Sequence, residues 1–202
     1  MKKIYVTALL AALMASCSAP NIKEKETPEV DVQPVNKENV QELEVIPAKE
    51  YKWTCVGCNI QEEMALKAFQ DRGITDRLAL AALMGNIKHE SQFKPDICEG
   101  GARVPYEKCH TGGFGLIQWT TVNRYDGLGR YARNNKCNPS TTACQLGYLF
   151  TEYQWGKVEP KMKTPGQTIE WYMNHAYTWL GWGIHGARTD YAYNYARMLV
   201  EG

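Results

Sequence analysis

Six cysteines, at positions 55, 58, 98, 109, 137 and 144, constrain this chain of 202 residues more than any other feature. An even set of this kind acts as a covalent framework if the chain leaves the reducing cytosol, and the N-terminus argues that it does. It reads "MKKIYVTALLAALMASC", a basic end followed by an apolar run and small residues, which is the layout of a secretory signal. The apolar run is too short for a transmembrane helix. Six cysteines allow fifteen pairings, and spacing can only rank them. Neighbours are favoured: Cys98 with Cys109, Cys137 with Cys144, and Cys55 with Cys58, the last being the least secure because short rings are strained. Closing the ten-residue loop between Cys98 and Cys109 is worth around 3 kcal/mol in the chain-entropy model.

The seventh cysteine, Cys17, ends "MASC", which resembles the lipobox of bacterial lipoproteins. That resemblance implies a signal peptide over residues 1–16, cleavage before Cys17 and acylation of Cys17 as the mature N-terminus. Residues 18–50 contain no cysteine, aromatic residue or glycine, and their prolines and charges lack an apolar period. They read as a disordered linker, so that residues 17–50 form a lipidated tether and residues 51–202 the single folded domain. The linker carries four Lys against eight Asp or Glu, a net of −4, whereas residues 51–202 carry 17 Lys or Arg against 14 acids, a net of +3. No basic cluster of the kind that nucleic acid requires is present, and nucleic acid is not an expected partner.

Within the domain, Ile60, Met64, Ala65, Ala68 and Phe69 recur at helical spacing before Gly73. A second helix is predicted after Thr75 or Asp76, with Leu80, Leu83, Met84 and Ile87 on one stripe and Glu90 and Ser91 in its last turn. Glu90 shares the face of the buried stripe, three residues after Ile87 and seven after Leu83. Partial burial and the negative end of the helix dipole both disfavour a charged carboxylate there, so Glu90 is expected to hold its proton toward neutral pH, as a general acid must. The glycine-rich stretch "ICEGGARVPYEKCHTGGFGLIQWT" predicts a small β hairpin or irregular β region. Further helices are predicted around 123–134, 144–155, 166–176 and 187–200. The expected class is α+β, predominantly α.

A helix ending in "GNIKHESQF", followed some twenty residues later by "GGFGLIQWTTVNR", resembles the phage-tail lysozyme family, within the wider lysozyme-like superfamily. The likeness extends more softly through "CQLGYLFTEYQ" and "RTDYAYNYA". The resemblance implies a lysozyme-like fold and cleavage of the β-1,4 bond between N-acetylmuramic acid and N-acetylglucosamine, with Glu90 protonating the leaving oxygen. The mild positive charge of the domain suits such an anionic polymer. Candidates for a second carboxylate are Asp96 and Glu99, ahead of Glu107. Gly112, Gly113 and Gly115 allow close backbone approach, and Gln118, Trp119 and Thr120 offer an amide, an aromatic face and a hydroxyl to a sugar. Trp119 reads equally well as core, and Trp171, Trp179 and Trp182 read first as packing, with one of them a candidate sugar platform.

His89, His110, His175 and His185 lack partners at ligand spacing, and no Gly-Lys-Ser or Gly-Lys-Thr phosphate loop is present, so neither metal nor cofactor is expected. The pair in "CVGC" reads as structural, since no strand is predicted before it. Three functions stay open: a muramidase, a lytic transglycosylase that uses the same acid with the muramyl 6-hydroxyl in place of water, and a wall-binding lipoprotein without turnover. The expected protein is an exported monomer, anchored through Cys17. Ser18, rather than an aspartate, directs it to the periplasmic side of an outer membrane where the host has one.

Overall fold

The "ALAALMGNI" core of the second helix is built mostly from small and aliphatic residues, and that composition decides its position. In a computed structural model, which describes residues 50–110 and 112–202, Ala79 to Ile87 are all buried. Helix α1 spans Ile60–Asp71 and α2 spans Arg77–Ser91. The stripe of Leu80, Leu83, Met84 and Ile87 is therefore one side of a helix enclosed all round, because Ala79, Ala81, Ala82 and Gly85 let neighbours approach the other sides.

Both helices start where capping chemistry predicts. The Asn59 side chain accepts from the Glu62 amide at 3.0 Å while Glu62 accepts from the Asn59 amide at 2.8 Å, a reciprocal capping box. Asp76 accepts from the amides of Leu78 and Ala79 and, through its other oxygen, from Gly166 at 2.7 Å.

Helices α3 (Val122–Asn135), α4 (Thr142–Leu149), α5 (Tyr153–Met162), α6 (Ile169–Leu180) and α7 (Arg188–Met198) complete the domain. The single helix expected over 144–155 is two helices. The break comes at Phe150–Glu152, where the amides of Thr151 and Glu152 turn back to Tyr148 and Leu149. Glu152 there accepts from Arg124 through both carboxylate oxygens, at 2.7 and 2.9 Å, with 3 % of its side chain exposed. This bidentate pair joins α3 to the α4–α5 corner.

Helix α7 crosses α2 at Gly85, where a Cβ would lie 2.5 Å from the backbone nitrogen of Ala192. Only glycine permits that approach. Helix α6 meets α2 through Asn86, which donates to the sulfur of Met173 at 3.2 Å. These crossings bring the C-terminal end of α2 and the N-terminal end of α7 together.

The α+β class holds, but the regular strands lie elsewhere than expected. β1 (Trp53–Cys55) pairs antiparallel with β2 (Leu199–Glu201), Cys55 opposite Leu199, so the two ends of the domain close on each other. The region expected as a small hairpin or irregular β region takes the irregular form: among its described residues it holds the bridges Ile97–Arg103 and Cys98–Phe114 around a 3-10 turn at Tyr106–Lys108. Pro105 lacks an amide hydrogen for a ladder, and Gly100 and Gly101, at φ 84° and 90°, reverse the chain too tightly for one to extend. Three disulfides join Cys55–Cys58, Cys98–Cys109 and Cys137–Cys144, the neighbour pairings that spacing favoured. Cys17, the signal segment and the linker up to residue 49 lie outside the described residues. Among the described residues, no helix is long and apolar enough to cross a membrane.

Candidate active site

Glu90 stands in the last turn of α2 with 14 % of its side chain exposed, at the edge of the core as its register with Leu83 and Ile87 requires. Behind it the chain reverses through two consecutive left-handed residues, Gln92 at φ 53° and Phe93 at φ 60°. Neither is glycine, and such a conformation persists only where surroundings impose it. They do so here. The Phe93 side chain is buried against Tyr195, and its amide donates to the Ser91 hydroxyl oxygen at 3.1 Å.

Ser91 also explains why the two sequence motifs belong together. Its hydroxyl donates to the carbonyl of Leu116 at 2.9 Å, fastening the end of α2 to the "GLIQWT" turn. Gln145, fully buried in α4, holds that turn from the other side. It accepts from the Leu116 amide at 2.8 Å and donates to the carbonyls of Pro95 and Pro139 at 2.6 and 2.7 Å. Sequence reading noted the "CQLGYLF" helix without assigning Gln145 a task; a lone glutamine carries no signal of the three segments it joins.

Arg188, the first residue of α7, is the partner that sequence reading missed. Its Nη2 donates to Oε1 of Glu90, and its Nη1 donates to the carbonyls of Ile184 and His185 at 2.7 and 2.9 Å. The guanidinium is 5 % exposed and lies 4.8 Å from the Trp182 ring centroid. The only signal was an arginine in "RTDYAYNYA", at the opposite end of the domain's sequence.

His89 stands beside Glu90 with its ring against Gly186, where a Cβ would come within 2.2 Å of the imidazole. Burial, then the charges of Arg188 and His185, hold its pKa below the ordinary histidine value. Lower in the domain, Glu62 is buried and accepts from Lys88 at 2.8 Å and from the Tyr195 hydroxyl at 2.5 Å. Burial alone would raise its pKa; the hydrogen bonds from Lys88, Tyr195 and the Asn59 amide outweigh that and lower it.

The remaining candidates separate into surface and core. Asp96 is engaged by Arg103. Glu99 is exposed and its carboxylate lies over Gly112, where a Cβ would fall 1.1 Å from Oε2. Its amide donates to the Gly113 carbonyl at 2.8 Å, which places it on the segment that leads into the turn beside Glu90. Glu107 lines a separate cavity of about 570 Å³ together with Asp96 and Arg103. Gln118 is half-buried in a left-handed conformation at φ 52°, and Thr120 is exposed, its hydroxyl donating to the Gln118 carbonyl at 2.8 Å. Thr120 and Gly112 open onto a cavity of about 310 Å³ shared with His110, Tyr125 and Asp126.

Trp119 and Gly115, two of the residues expected to meet a sugar, lie inside the domain. Trp119 is fully buried against Tyr148, and Gly115 is covered by the Gln145 amide, 2.5 Å from where its Cβ would stand. Gly113 is also buried, packed on Gln118. These residues shape the turn from within because a tryptophan between apolar neighbours gains more from the core than from water. Of the late tryptophans, Trp179 is core, Trp171 packs on Tyr172 and His175, and Trp182 lines a surface cavity. Among the described residues, no three His, Cys, Asp or Glu gather as metal ligands.

A buried-edge glutamate closing the second helix, tied through Ser91 to the glycine turn, is the arrangement that the two motifs encode. Residues 61–199 match the family described as phage tail lysozyme. This chain belongs to the phage tail lysozyme family. As a family member it is a protein of peptidoglycan lysis, and its three disulfides fit a compartment outside the reducing cytosol. No curated protein and no solved structure matches the chain.

Proposed function

We propose that this phage tail lysozyme family member is a muramidase, a glycoside hydrolase that cleaves the β-1,4 bond between N-acetylmuramic acid and N-acetylglucosamine with Glu90 as general acid. The observation that carries this is the hold on Glu90: Arg188 occupies Oε1, which leaves Oε2 for the transferable proton. Glu90 gives that proton to the glycosidic oxygen as the C1–O bond breaks, and positive charge develops at C1. Water then adds to C1 and loses a proton to a carboxylate. Glu99 suits that last task better than Asp96, since Asp96 is engaged by Arg103. Gln118 and Thr120, on the exposed side of the turn, face the strand; Gly113, Gly115 and Trp119 support them from the core.

The engagement of Asp96 also favours a second reading, a lytic transglycosylase, which needs no water-activating carboxylate because the muramyl 6-hydroxyl attacks C1. Mass spectrometry of products from purified wall decides between them. Reducing muramyl ends are expected; anhydro-muramyl ends would select transglycosylation, and an absence of products would leave a wall-binding protein. Glu90→Gln should lower cleavage by about 10²-fold or more, since the amide carries no transferable acid proton.

Residues 1–16 serve as a lipoprotein signal and Cys17 as the acylated anchor. Residues 18–50 tether a monomeric catalytic domain within reach of nearby wall. Cys17→Ser should abolish acylation and membrane partitioning, both read by mass and fractionation.

A further inference from the structure

Asn86 does not fit the packing of α2. It is fully buried among small and aliphatic residues, and its amide is only half satisfied. Nδ2 donates to the Ala82 carbonyl at 2.8 Å and to the sulfur of Met173 at 3.2 Å, whereas the buried Oδ1 accepts from no group of the protein. A leucine of nearly the same size would leave nothing unmet, and a buried oxygen without a donor costs stability. A polar side chain kept in a core at that cost calls for a task.

Arg188 has the complementary need. The residue is 4 % exposed, and while Nη1 and Nη2 reach two carbonyls and Glu90, the buried Nε–H meets no acceptor. The two unmet groups belong to one stretch of the α2–α7 contact. The Arg188 carbonyl lies 2.8 Å from where a Cβ of Gly85 would stand, and the guanidinium ends on Glu90, so the side chain runs along the turn of α2 that carries Asn86. Asn86 precedes Glu90 by four residues and shares its face of the helix. One atom lacks a donor, the other lacks an acceptor, and they are not bonded to each other. A water molecule satisfies both, because it offers a hydrogen to the oxygen and a lone pair to the N–H.

We propose that Asn86 is a positioning residue for the acid: its Oδ1 and the Arg188 Nε–H share one ordered water. A guanidinium is planar, so a fixed Nε sets the plane in which Nη2 meets Oε1 of Glu90. Oε2 is thereby held at one orientation toward the glycosidic oxygen. Asn86 touches neither the strand nor the transferred proton and acts through Arg188. The inference rests on Glu90 as the acid, and it holds whether water or the muramyl 6-hydroxyl completes the reaction.

The test combines one structure with a mutant cycle, both on the full chain. A high-resolution crystal structure should show a water within about 3 Å of both Asn86 Oδ1 and Arg188 Nε. Asn86→Leu should remove it, keep or raise the melting temperature, and lower kcat on soluble wall fragments about tenfold with KM changed by less than about twofold. A merely structural asparagine would show the reverse, a lowered melting temperature with an unchanged kcat. In an Arg188→Lys background, which lacks the Nε–H of the fork, Asn86→Leu should cost little more, as for two residues acting in series. Full kcat in Asn86→Leu, or losses that add in the double variant, overturns the positioning role, and so does a parent structure with no water between the two atoms. If Asn86→Leu fails to fold, the density in the parent decides alone, a bridging water supporting the role and its absence overturning it. Glu90→Gln is assayed in parallel. Cleavage retained there, or none by the parent, sinks the acid itself, whereas full kcat in Asn86→Leu beside an inactive Glu90→Gln sinks the positioning role alone.

Discussion

Arg188 donates through Nη2 to Oε1 of Glu90 across 98 residues of sequence, so that the acid at the end of α2 is held by the first residue of α7. The same guanidinium grips two carbonyls of the preceding loop, at Ile184 and His185. One side chain therefore sets both the orientation of the carboxyl group and the path of the loop that carries Trp182.

Replacing Arg188 should separate these tasks. Arg188→Met is expected to lower wall cleavage by about tenfold or more and to destabilise the domain by about 3 kcal/mol, since it removes a buried charge partner and three donated hydrogen bonds. Arg188→Lys, which keeps the charge but not the planar fork, should restore part of the activity and less of the stability. Full cleavage by Arg188→Met at temperatures where it stays folded would show that the pair has no part in the chemistry.

The α2–α7 crossing should be intolerant of one methyl group. Gly85→Ala places a Cβ 2.5 Å from the Ala192 backbone nitrogen, and the helices must part. A loss of about 2–3 kcal/mol is expected in chemical denaturation. Activity should fall further than stability explains, since Glu90 and Arg188 ride on the two helices. Gly156→Ala in α5 is the control: no atom lies within 4 Å of its Cβ position, and removing a helix glycine should stabilise by about 0.5–1 kcal/mol.

Acid should weaken the domain through Glu62. Its folded pKa is below the ordinary value of 4.5, so its stabilising contribution is fully present above that value and is lost as pH falls through the folded pKa. Glu159, held by Arg72 and Lys163, shifts in the same direction and adds to the effect. Melting temperature should therefore fall as pH drops below about 4.5. Glu62→Gln should cost about 2 kcal/mol at neutral pH and flatten that decline. A melting temperature in the variant that declines as steeply as in the parent would exclude Glu62 as the source.

Reduction should act locally as well as globally. The Cys98–Cys109 bridge joins the segment bearing Glu99 to the start of the glycine turn. Its removal by Cys98→Ser with Cys109→Ser is expected to cost about 3 kcal/mol in thermal unfolding. Cleavage should fall in the same variant at temperatures where it remains folded. Full activity there would assign the bridge to stability alone.

What sequence by itself determined is what local chemistry controls. The Asn59 and Asp76 caps start their helices because a side-chain oxygen within reach of the next amides is a property of adjacent residues. The 3.6-residue period turned Glu90 toward the core's edge, and the short loops between neighbouring cysteines made their pairing the favoured one. Tertiary structure decided the rest. Whether Trp119 meets a sugar or Tyr148, and whether Gly115 faces solvent or the Gln145 amide, depends on segments tens of residues away. The same holds for the strand that closes the domain, where Leu199 pairs with Cys55 across nearly its whole length. Above all, Arg188 reaches Glu90 only because Gly85 admits Ala192. Periodicity records which face of a helix is buried, but not which helix buries it, and the partner that Glu90 meets is set by the second of these.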